Sequence, residues 1–331
     1  MSVVLSLFAI AVLVILPLIG TGLLQLEYLF GVIIPYAAII LFLVGMIYRI
    51  LKWANVPVPF RIPTSCGQQQ SLSWIKQNEL DNPSTFWGTV KRMALEVLFF
   101  RSLFRNTKVE LREGPRISYT SDKWLWLGAL AFHWSFLIIF VRHFKFFAEP
   151  VPIWVDTLQL LDGFFQIGLP IIYVTDAVIL AALTYLFLRR IFNPLVRYIS
   201  LINDYFPLLL LMGIAATGIL LRYFLKTDIV AIKELGMGLI SLHPVVPDNI
   251  GALFYIHLFL VSVLFAYFPF SKLMHMPGVF LSPTRNMANN SRMRRHINPW
   301  NYPVKTHTYE EYEDEFRDLM RAAGLPLEKD K

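Results

Sequence analysis

Long apolar runs separated by short polar segments dominate the pattern of hydrophobic positions along the chain. A helix that crosses a bilayer needs about 20 predominantly apolar residues. Six stretches reach this length: Val3–Leu24, Leu29–Leu51, Trp124–Phe147, Phe164–Phe187, Tyr205–Leu225 and Ile250–Phe270. The first lacks a basic leader and a small-residue cleavage site, so we expect a retained helix and not a signal peptide. The pattern predicts an all-α integral membrane protein with six transmembrane helices.

The composition agrees with this prediction, because 56% of the 331 residues are apolar and 16% are charged. Soluble domains carry about 25% charged residues. These values exclude a soluble globular enzyme, a disordered protein and a nucleic-acid binder of the usual kind. The single cysteine, Cys66, excludes a disulfide scaffold and any structural zinc or iron–sulfur site built from this chain alone.

Lysine and arginine are distributed unevenly among the connections between the spans. The segment from Lys52 to Lys123 holds eleven of them, while Ala148–Gly163 holds none. Cytoplasmic connections of membrane proteins carry an excess of these residues. We therefore expect residues 53–122 and 283–331 to lie in the cytoplasm. This topology places both termini there and the chain in the cytoplasmic membrane.

Four regions follow from this topology: two N-terminal spans at 1–52, a cytoplasmic insert at 53–122, a four-span core at 123–282 and a cytoplasmic tail at 283–331. Within the insert, apolar residues recur at helical spacing over Ser84–Phe104. This predicts an amphipathic helix that lies on the membrane surface or packs on a partner subunit. The tail ends in an acidic helix near Tyr309–Ala322. Cys66 is interpreted as a structural residue in a subunit contact, with a redox role or a ligand to a partner's cluster as alternatives.

Four of the seven histidines lie in or beside two of the predicted spans. Ionisable groups at membrane depth are rare and tend to mark function. In antiparallel neighbours, the early residue of one helix is level with the late residue of the other. His133 is thus expected to pair with His275 towards the cytoplasm, and His143 with His257 near the outer surface. The Cys-x-x-Cys-His motif of covalent c-type haem does not occur in the sequence.

Two imidazole pairs at two depths are typical of helical bundles that hold haem iron between axial histidines. A proton path or a metal-transport site uses the same residue type and is the alternative. The spacing is uneven, since ten residues from His133 to His143 rise about 15 Å and eighteen from His257 to His275 rise about 27 Å. A helix break at Pro269 is expected to absorb the difference.

Arginines at the span ends are candidates for contacts with haem propionates, because guanidinium groups pair well with carboxylates. The candidates are Arg189 and Arg190 at the inner end of the fourth span and Arg222 at the outer end of the fifth. Ordinary anchoring at the cytoplasmic surface is the alternative for Arg189 and Arg190.

The histidine-bearing segments resemble those of a known family, the nitrate reductase gamma subunits. The resemblance rests on Phe132-His133-Trp134, on Val141-Arg142-His143-Phe144, and on His257 followed by Phe268-Pro269-Phe270-Ser271-Lys272-Leu273-Met274-His275. In that family four histidines ligate two b-type haems, a quinol is oxidised near the outer haem, and electrons pass inward to an iron–sulfur subunit. The resemblance implies a dihaem core of four or five helices, with the four histidines as axial ligands of two haems b.

The insert carries a second resemblance. Its string Arg61-Ile62-Pro63-Thr64-Ser65-Cys66-Gly67-Gln68-Gln69 is similar to one in the cytochrome b subunits of the Dsr membrane complexes, which are associated with sulfite reduction. This implies dissimilatory sulfur metabolism, menaquinone as the membrane substrate, and a cytoplasmic iron–sulfur partner related to heterodisulfide reductases. Further implied partners are a second membrane subunit and periplasmic electron-transfer subunits, including a multihaem c-type cytochrome.

These resemblances imply electron exchange between menaquinol near the outer haem and the cytoplasmic partner, in either direction. Arg142 and Lys145 flank His143 and are expected to orient a quinone oxygen, with snorkelling to the interface as the alternative. We assign no residue as catalytic. Three other functions stay open: a gamma-type cytochrome b of another nitrate- or heterodisulfide-reductase-like enzyme, a transporter or proton channel, and a haem-free membrane anchor.

Overall fold

The computed structural model describes residues 1–56, 68–114, 116–163, 171–248, 250–294 and 306–329. Cys66 and the predicted start of the fourth span at Phe164 therefore lie outside the described residues. In chain order the α-helices are α1 (Ser2–Gly22), α2 (Ile34–Ala54), α3 (Phe86–Phe99), α4 (Arg101–Phe104), α5 (Lys123–Arg142), α6 (Ile153–Asp162), α7 (Val174–Phe192), α8 (Pro194–Ile199), α9 (Ile202–Ile219), α10 (Ile229–Ile240), α11 (Ala252–Tyr267), α12 (His275–Leu281), α13 (Pro283–Asn286) and α14 (Tyr309–Ala322). The strands are β1 (Thr107–Arg112) and β2 (Arg116–Ser121).

Tighter or wider helical turns extend several of the long helices. A π-helical turn at Leu29–Ile33 leads into α2 and another at Leu220–Phe224 follows α9, while 3-10 turns at His143–Phe146 and Phe268–Phe270 follow α5 and α11. Within the described residues, five helices are long and apolar enough to cross a membrane: α1, α2, α5, α9 and α11 with these extensions. Their bounds lie within a few residues of the spans expected from the apolar runs. The prediction of a mostly helical membrane fold is confirmed.

The fourth predicted span is described only in part, since residues 164–170 lie outside the described residues. Its described helix, α7, begins at Val174. Asp176 in its first turn and Arg189 and Arg190 in its last turn make α7 less apolar than the five helices above. The observed end of α7 at Phe192 lies five residues beyond the predicted end of the span at Phe187.

Contacts between helix ends show that neighbouring helices run up and down. Arg189 at the end of α7 lies 3.1 Å from Asp122, which precedes α5. Tyr223, beyond α9, donates a hydrogen bond of 2.7 Å to Asp176 at the start of α7. Helices α9 and α11 form the centre, with α1 and α2 on one side and α7 with α5 on the other. Many large apolar side chains of α1 and α2 remain exposed, as expected for helices that face lipid.

The insert, described over residues 68–114 and 116–122, contains α3, α4 and an antiparallel hairpin in which Val109 faces Tyr119 across the two strands. The hairpin was not expected from the sequence pattern. The predicted helix over Ser84–Phe104 is interrupted at Phe100, whose φ of 50° is left-handed and ends α3. We call the end of the bundle that carries these elements the insert end.

The opposite end of the bundle carries two short helices, α6 and α10, that were expected to be plain connections. Asp228 begins α10 by accepting hydrogen bonds from the N–H groups of Val230 and Ala231, a common N-cap arrangement. In the tail, α14 occupies the predicted range, and Thr308 and Glu311 form the capping box that starts it.

Candidate functional site

Two pairs of imidazole rings lie between α5 and the segment formed by α11 and α12. The ring centroids of His143 and His257 are 6.4 Å apart, with an angle of 13° between the ring planes. The ring centroids of His133 and His275 are 5.9 Å apart, with an angle of 86°. The structure thus brings together the two pairs expected from the sequence, the first at the opposite end and the second at the insert end.

Each of the four rings uses its Nδ1 atom in a hydrogen bond to the protein. The Nδ1 atom of His133 lies 2.8 Å from the carbonyl oxygen of Ala129, and that of His143 lies 2.7 Å from the carbonyl oxygen of Ile139. A carbonyl oxygen only accepts, so these Nδ1 atoms carry the proton. The same holds for His275, whose Nδ1 lies 3.0 Å from the carbonyl oxygen of Lys272.

Thr217 fixes the fourth ring in the same tautomer. Its Oγ1 lies 2.9 Å from Nδ1 of His257 and donates to the carbonyl oxygen of Gly213 at 2.8 Å. Because the hydroxyl proton is engaged with the backbone, the oxygen accepts from Nδ1–H of His257. In the neutral form, each of the four rings therefore has its lone pair on Nε2, which is the atom that binds a metal when Nδ1–H is held by an outer partner.

The geometry of the pairs fits haem iron. Metal–imidazole bonds are about 2 Å long, and the ring centroid lies about 1 Å farther out, so two axial imidazoles place their centroids about 6 Å apart. The observed separations of 5.9 and 6.4 Å match this value. Helix α5 packs mainly on α7, and α11 packs on α1, α2 and α9. In the described part of the chain α5 and α11 do not pack closely on each other, which leaves width between them for a flat macrocycle.

A glycine allows the close approach of the outer ring to a helix. A Cβ atom at Gly218 would lie 3.3 Å from Cε1 of His257, which is tighter than ordinary van der Waals contact. At Gly128, in contrast, the missing Cβ makes room for the ring of Tyr185, which is a helix–helix contact.

The break at Pro269 places the last histidine. Helix α11 ends at Tyr267, and two 3-10 turns, Phe268–Phe270 and Lys272–Met274, separate it from His275 at the start of α12. The proline ring removes one backbone donor, so the regular α-helix is not continued. This change of path brings His275 opposite His133.

The three propionate candidates have protein partners. Arg189 pairs with Asp122, and Arg190 donates to the hydroxyl of Ser200 at 3.0 Å. The guanidinium of Arg222 donates to the carbonyl oxygen of Ile171 at 3.0 Å. The contacts of Arg189 and Arg190 are typical of residues that anchor the ends of helices.

A buried ionic cluster surrounds Arg142, next to the outer histidine. Its guanidinium donates to Asp176 at 2.6 Å and lies 3.2 Å from a carboxylate oxygen of Asp162. Asp162 in turn accepts hydrogen bonds from the backbone N–H and the hydroxyl of Thr175. Arg142 is only 6% exposed and its charge lies 3.7 Å above the ring of Tyr173, so it does not snorkel to the interface.

Lys145 lies near this cluster with a weaker partner. Its Nζ donates to the side-chain oxygen of Gln159 at 3.2 Å. Within the described residues this neutral group is its hydrogen-bond acceptor, so the ammonium group retains donors for another oxygen.

Sequence reasoning missed Asp162, Asp176 and Thr217. An acid in the first turn of an apolar helix was the available signal for Asp176.

In the described part of the chain, no group of three or more His, Cys, Asp or Glu residues gathers as they would around a bare metal ion. Two protein ligands per site suit haem, because the porphyrin supplies the remaining four.

Comparisons with known proteins agree with this geometry. A protein described as an Hdr-like menaquinol oxidoreductase cytochrome b-like subunit, from Archaeoglobus fulgidus, is 48% identical over 279 residues, which are 82% of this chain and 83% of that protein. A protein of the same description from Archaeoglobus profundus is 40% identical over 275 residues, 81% of each chain. Residues 84–295 match the nitrate reductase gamma subunit family, and the chain belongs to this family.

Proposed function

We propose that the chain is the dihaem cytochrome b subunit, of the DsrM type, of a quinone-linked membrane oxidoreductase. It exchanges electrons between menaquinol at the opposite end of the bundle and a DsrK-like iron–sulfur protein at the insert end. The observation that carries the proposal is the presence of two imidazole pairs along α5, one just beyond its end at His143 and one at its middle at His133, with ring separations of 6.4 and 5.9 Å.

The protein's part in this function is to hold and orient two haems. His143 and His257 supply the outer Nε2 atoms, and His133 and His275 the inner ones. Their Nδ1 hydrogen bonds fix the tautomer and make the imidazoles stronger donors. Haem b, when bound at both pairs, supplies one-electron transfer between the two depths of the membrane.

At the outer pair, the cluster around Arg142 supports quinol binding. A quinol that loses two electrons also releases two protons, so its pocket needs a donor that orients an oxygen and a path for protons. Lys145 is the better donor, because Arg142 is engaged by two carboxylates. Arg142 instead holds Asp176, whose second oxygen accepts from the hydroxyl of Tyr223. Asp176 and Tyr223 thereby form the beginning of a proton path.

The names of the relatives support the choice of substrate and partner. Both are described as subunits of Hdr-like menaquinol oxidoreductases. This favours menaquinol as the membrane substrate and an acceptor related to heterodisulfide reductase, here a DsrK-like subunit. A second membrane subunit and periplasmic subunits, including a multihaem cytochrome c, complete the proposed complex, which serves dissimilatory sulfur metabolism.

The proposed orientation follows the excess of lysine and arginine at the insert end, which places this end and both termini in the cytoplasm. Moving one electron inward against the membrane potential costs about 2.3 kcal/mol per 100 mV. Menaquinol oxidation at the outer pair would conserve energy only if the acceptor's potential drives that step, and the reverse direction uses the same residues.

A pyridine haemochrome assay of the purified full chain tests the proposal. We expect two haems b per chain, and one in His143→Ala or His257→Ala, because these variants lack one axial ligand of the outer haem. A colourless protein, or four single His→Ala variants that all retain two haems, would contradict it. Lys145→Gln is expected to raise KM for a soluble menaquinol analogue with haem content unchanged; an unchanged KM would remove Lys145 from the quinol pocket.

A further inference from the structure

Helix α3 of the insert contacts both segments that carry the inner histidines. One segment is α5, which bears His133. The other begins with His275 at the start of α12 and continues into α13, and it is α13 that α3 contacts. The inner pair therefore has a common support outside the membrane-spanning helices.

Two indoles of α5 bind the last turn of α3. Trp134, the residue after His133, donates from Nε1 to the carbonyl oxygen of Leu98 at 3.0 Å. Trp126 donates to the carbonyl oxygen of Phe99 at 2.7 Å. Carbonyl groups in the last turn of a helix find no N–H donor within the helix. The α5 indoles thus satisfy the C-terminal end of α3 and fix its position along α5.

The other side of α3 holds the tail. The Glu96 carboxylate forms an ion pair with Arg285 of α13, and Arg92 donates to the carbonyl oxygen of Thr284 at 3.5 Å. Farther along, Asn289 donates from its side chain to Asn82 at 2.7 Å, and both residues are fully buried. These contacts matter because His275 follows two 3-10 turns, so a continuous helix α11 does not set its position.

Phe100, between α3 and α4, reaches the inner pair directly. Its ring packs edge-on against the ring of His133, with centroids 4.9 Å apart and an angle of 86°. Its left-handed φ of 50° is uncommon for a residue with a side chain and persists only where neighbours impose it. The backbone N–H of Phe100 donates to carbonyl oxygens of α3, and the Glu96 carboxylate holds the turn that follows by accepting hydrogen bonds from the N–H and the hydroxyl of Ser102, at 3.0 and 2.7 Å.

We propose that α3 is a clamp for the inner haem, in which Phe100 holds the His133 ring perpendicular to the His275 ring and the Glu96–Arg285 pair holds the His275 segment against α5. Phe100 and Glu96 are positioning residues. This inference rests on the proposed function, since it assigns the insert a role at one of the two haem sites.

Electron paramagnetic resonance of the oxidised full chain tests the clamp. Perpendicular imidazole planes give low-spin ferric haem a highly anisotropic signal, and nearly parallel planes give a rhombic one. The angles of 86° and 13° therefore predict one signal of each kind, with the anisotropic one from the inner haem. Phe100→Ala removes one of the two rings that pack edge-on against His133, the other being that of Phe132. The anisotropic signal is therefore expected to shift towards a rhombic one while the outer signal is unchanged.

Glu96→Gln tests the tail side of the clamp. It is expected to change the reduction equilibrium of the inner haem at least threefold, which is about 30 mV for one electron, without moving the outer haem. Arg285→Gln, made from the other side of the same pair, should give the same shift, and the double variant should not add to it. Matched controls on the insert are Phe86→Ala and Glu79→Gln, whose side chains are exposed.

The outcomes separate the clamp from the proposed function. A wild-type chain without haem would contradict both. Two haems in the wild type, with inner signal and potential unchanged in Phe100→Ala and Glu96→Gln, would overturn the clamp alone. If these variants keep the outer haem, their helical bundle is folded. An equal disturbance of both haems by the variants and by the exposed controls would also overturn the clamp.

Discussion

Replacing Thr217 with valine tests how the outer haem site is built. Valine keeps the shape of threonine but has no oxygen, so Nδ1–H of His257 loses the acceptor that lies 2.9 Å away. Thr217 is 8% exposed, so water does not readily replace the hydroxyl. A polar group left without any partner in such a position costs about 1–3 kcal/mol, and this is an upper limit here because the carbonyl oxygen of Ile214 also accepts from the His257 ring. Mutation of a residue that hydrogen-bonds a metal-binding histidine weakens metal binding about 10–100-fold.

The substitution should also change the redox potential. A hydrogen bond from Nδ1–H makes the imidazole a stronger donor and stabilises ferric iron, so its loss should raise the midpoint potential of the outer haem. For one electron, about 1.4 kcal/mol corresponds to 59 mV, so the cost of about 1–3 kcal/mol limits the shift to about 130 mV. Optical redox titration measures the shift, and haem transfer to an excess of apomyoglobin measures the loss of affinity.

Thr217→Ser is the matched control, because serine keeps the hydroxyl and its bond to the carbonyl oxygen of Gly213. It should leave both the potential and the transfer rate near those of the wild type. Equal effects of serine and valine, or no effect of valine on the outer haem, would refute the assignment of Thr217 as the acceptor for His257. A shift confined to the inner haem would refute the placement of the pair.

Three further substitutions or conditions have defined outcomes. Gly218→Ala places a Cβ 3.3 Å from the His257 ring and should displace the outer haem signal, whereas Gly22→Ala, with nothing within 4 Å, should not. Arg142→Ala leaves two buried carboxylates without their cation and should lower the free energy of unfolding in detergent by about 3–5 kcal/mol; a loss below 1 kcal/mol would contradict the buried pairing. Burial raises the pKa of Glu96, but hydrogen bonds from Ser102 and Arg285 outweigh it and hold the pKa below the usual 4.5. The stability from this lowered pKa is present above pH 4.5 and lost as the pH falls through the lowered value, so near-UV circular dichroism should show an acid transition that Glu96→Gln lacks.

Several features of the fold were predictable because they are local. An apolar run of about 20 residues identifies a spanning helix wherever it packs, which is why α1, α2, α5, α9 and α11 were found. The capping residues Thr308 and Glu311 mark the start of α14 for the same reason. The hairpin of β1 and β2 was missed, because six-residue strands of mixed polarity give a weak alternating pattern in a helical chain.

Some features of the candidate site are likewise local in the sequence, and others depend on the tertiary structure. The sequence by itself determined which four histidines pair and which of them are level, since helix rise and antiparallel order fix both. Only the tertiary structure decided the ring angles, the pairing of Arg142 with Asp162 and Asp176, and the contact of Phe100 with His133. These depend on side chains brought together from distant parts of the chain, where packing and charge neutralisation between helices select the partner, and the pattern along one helix carries no record of that choice.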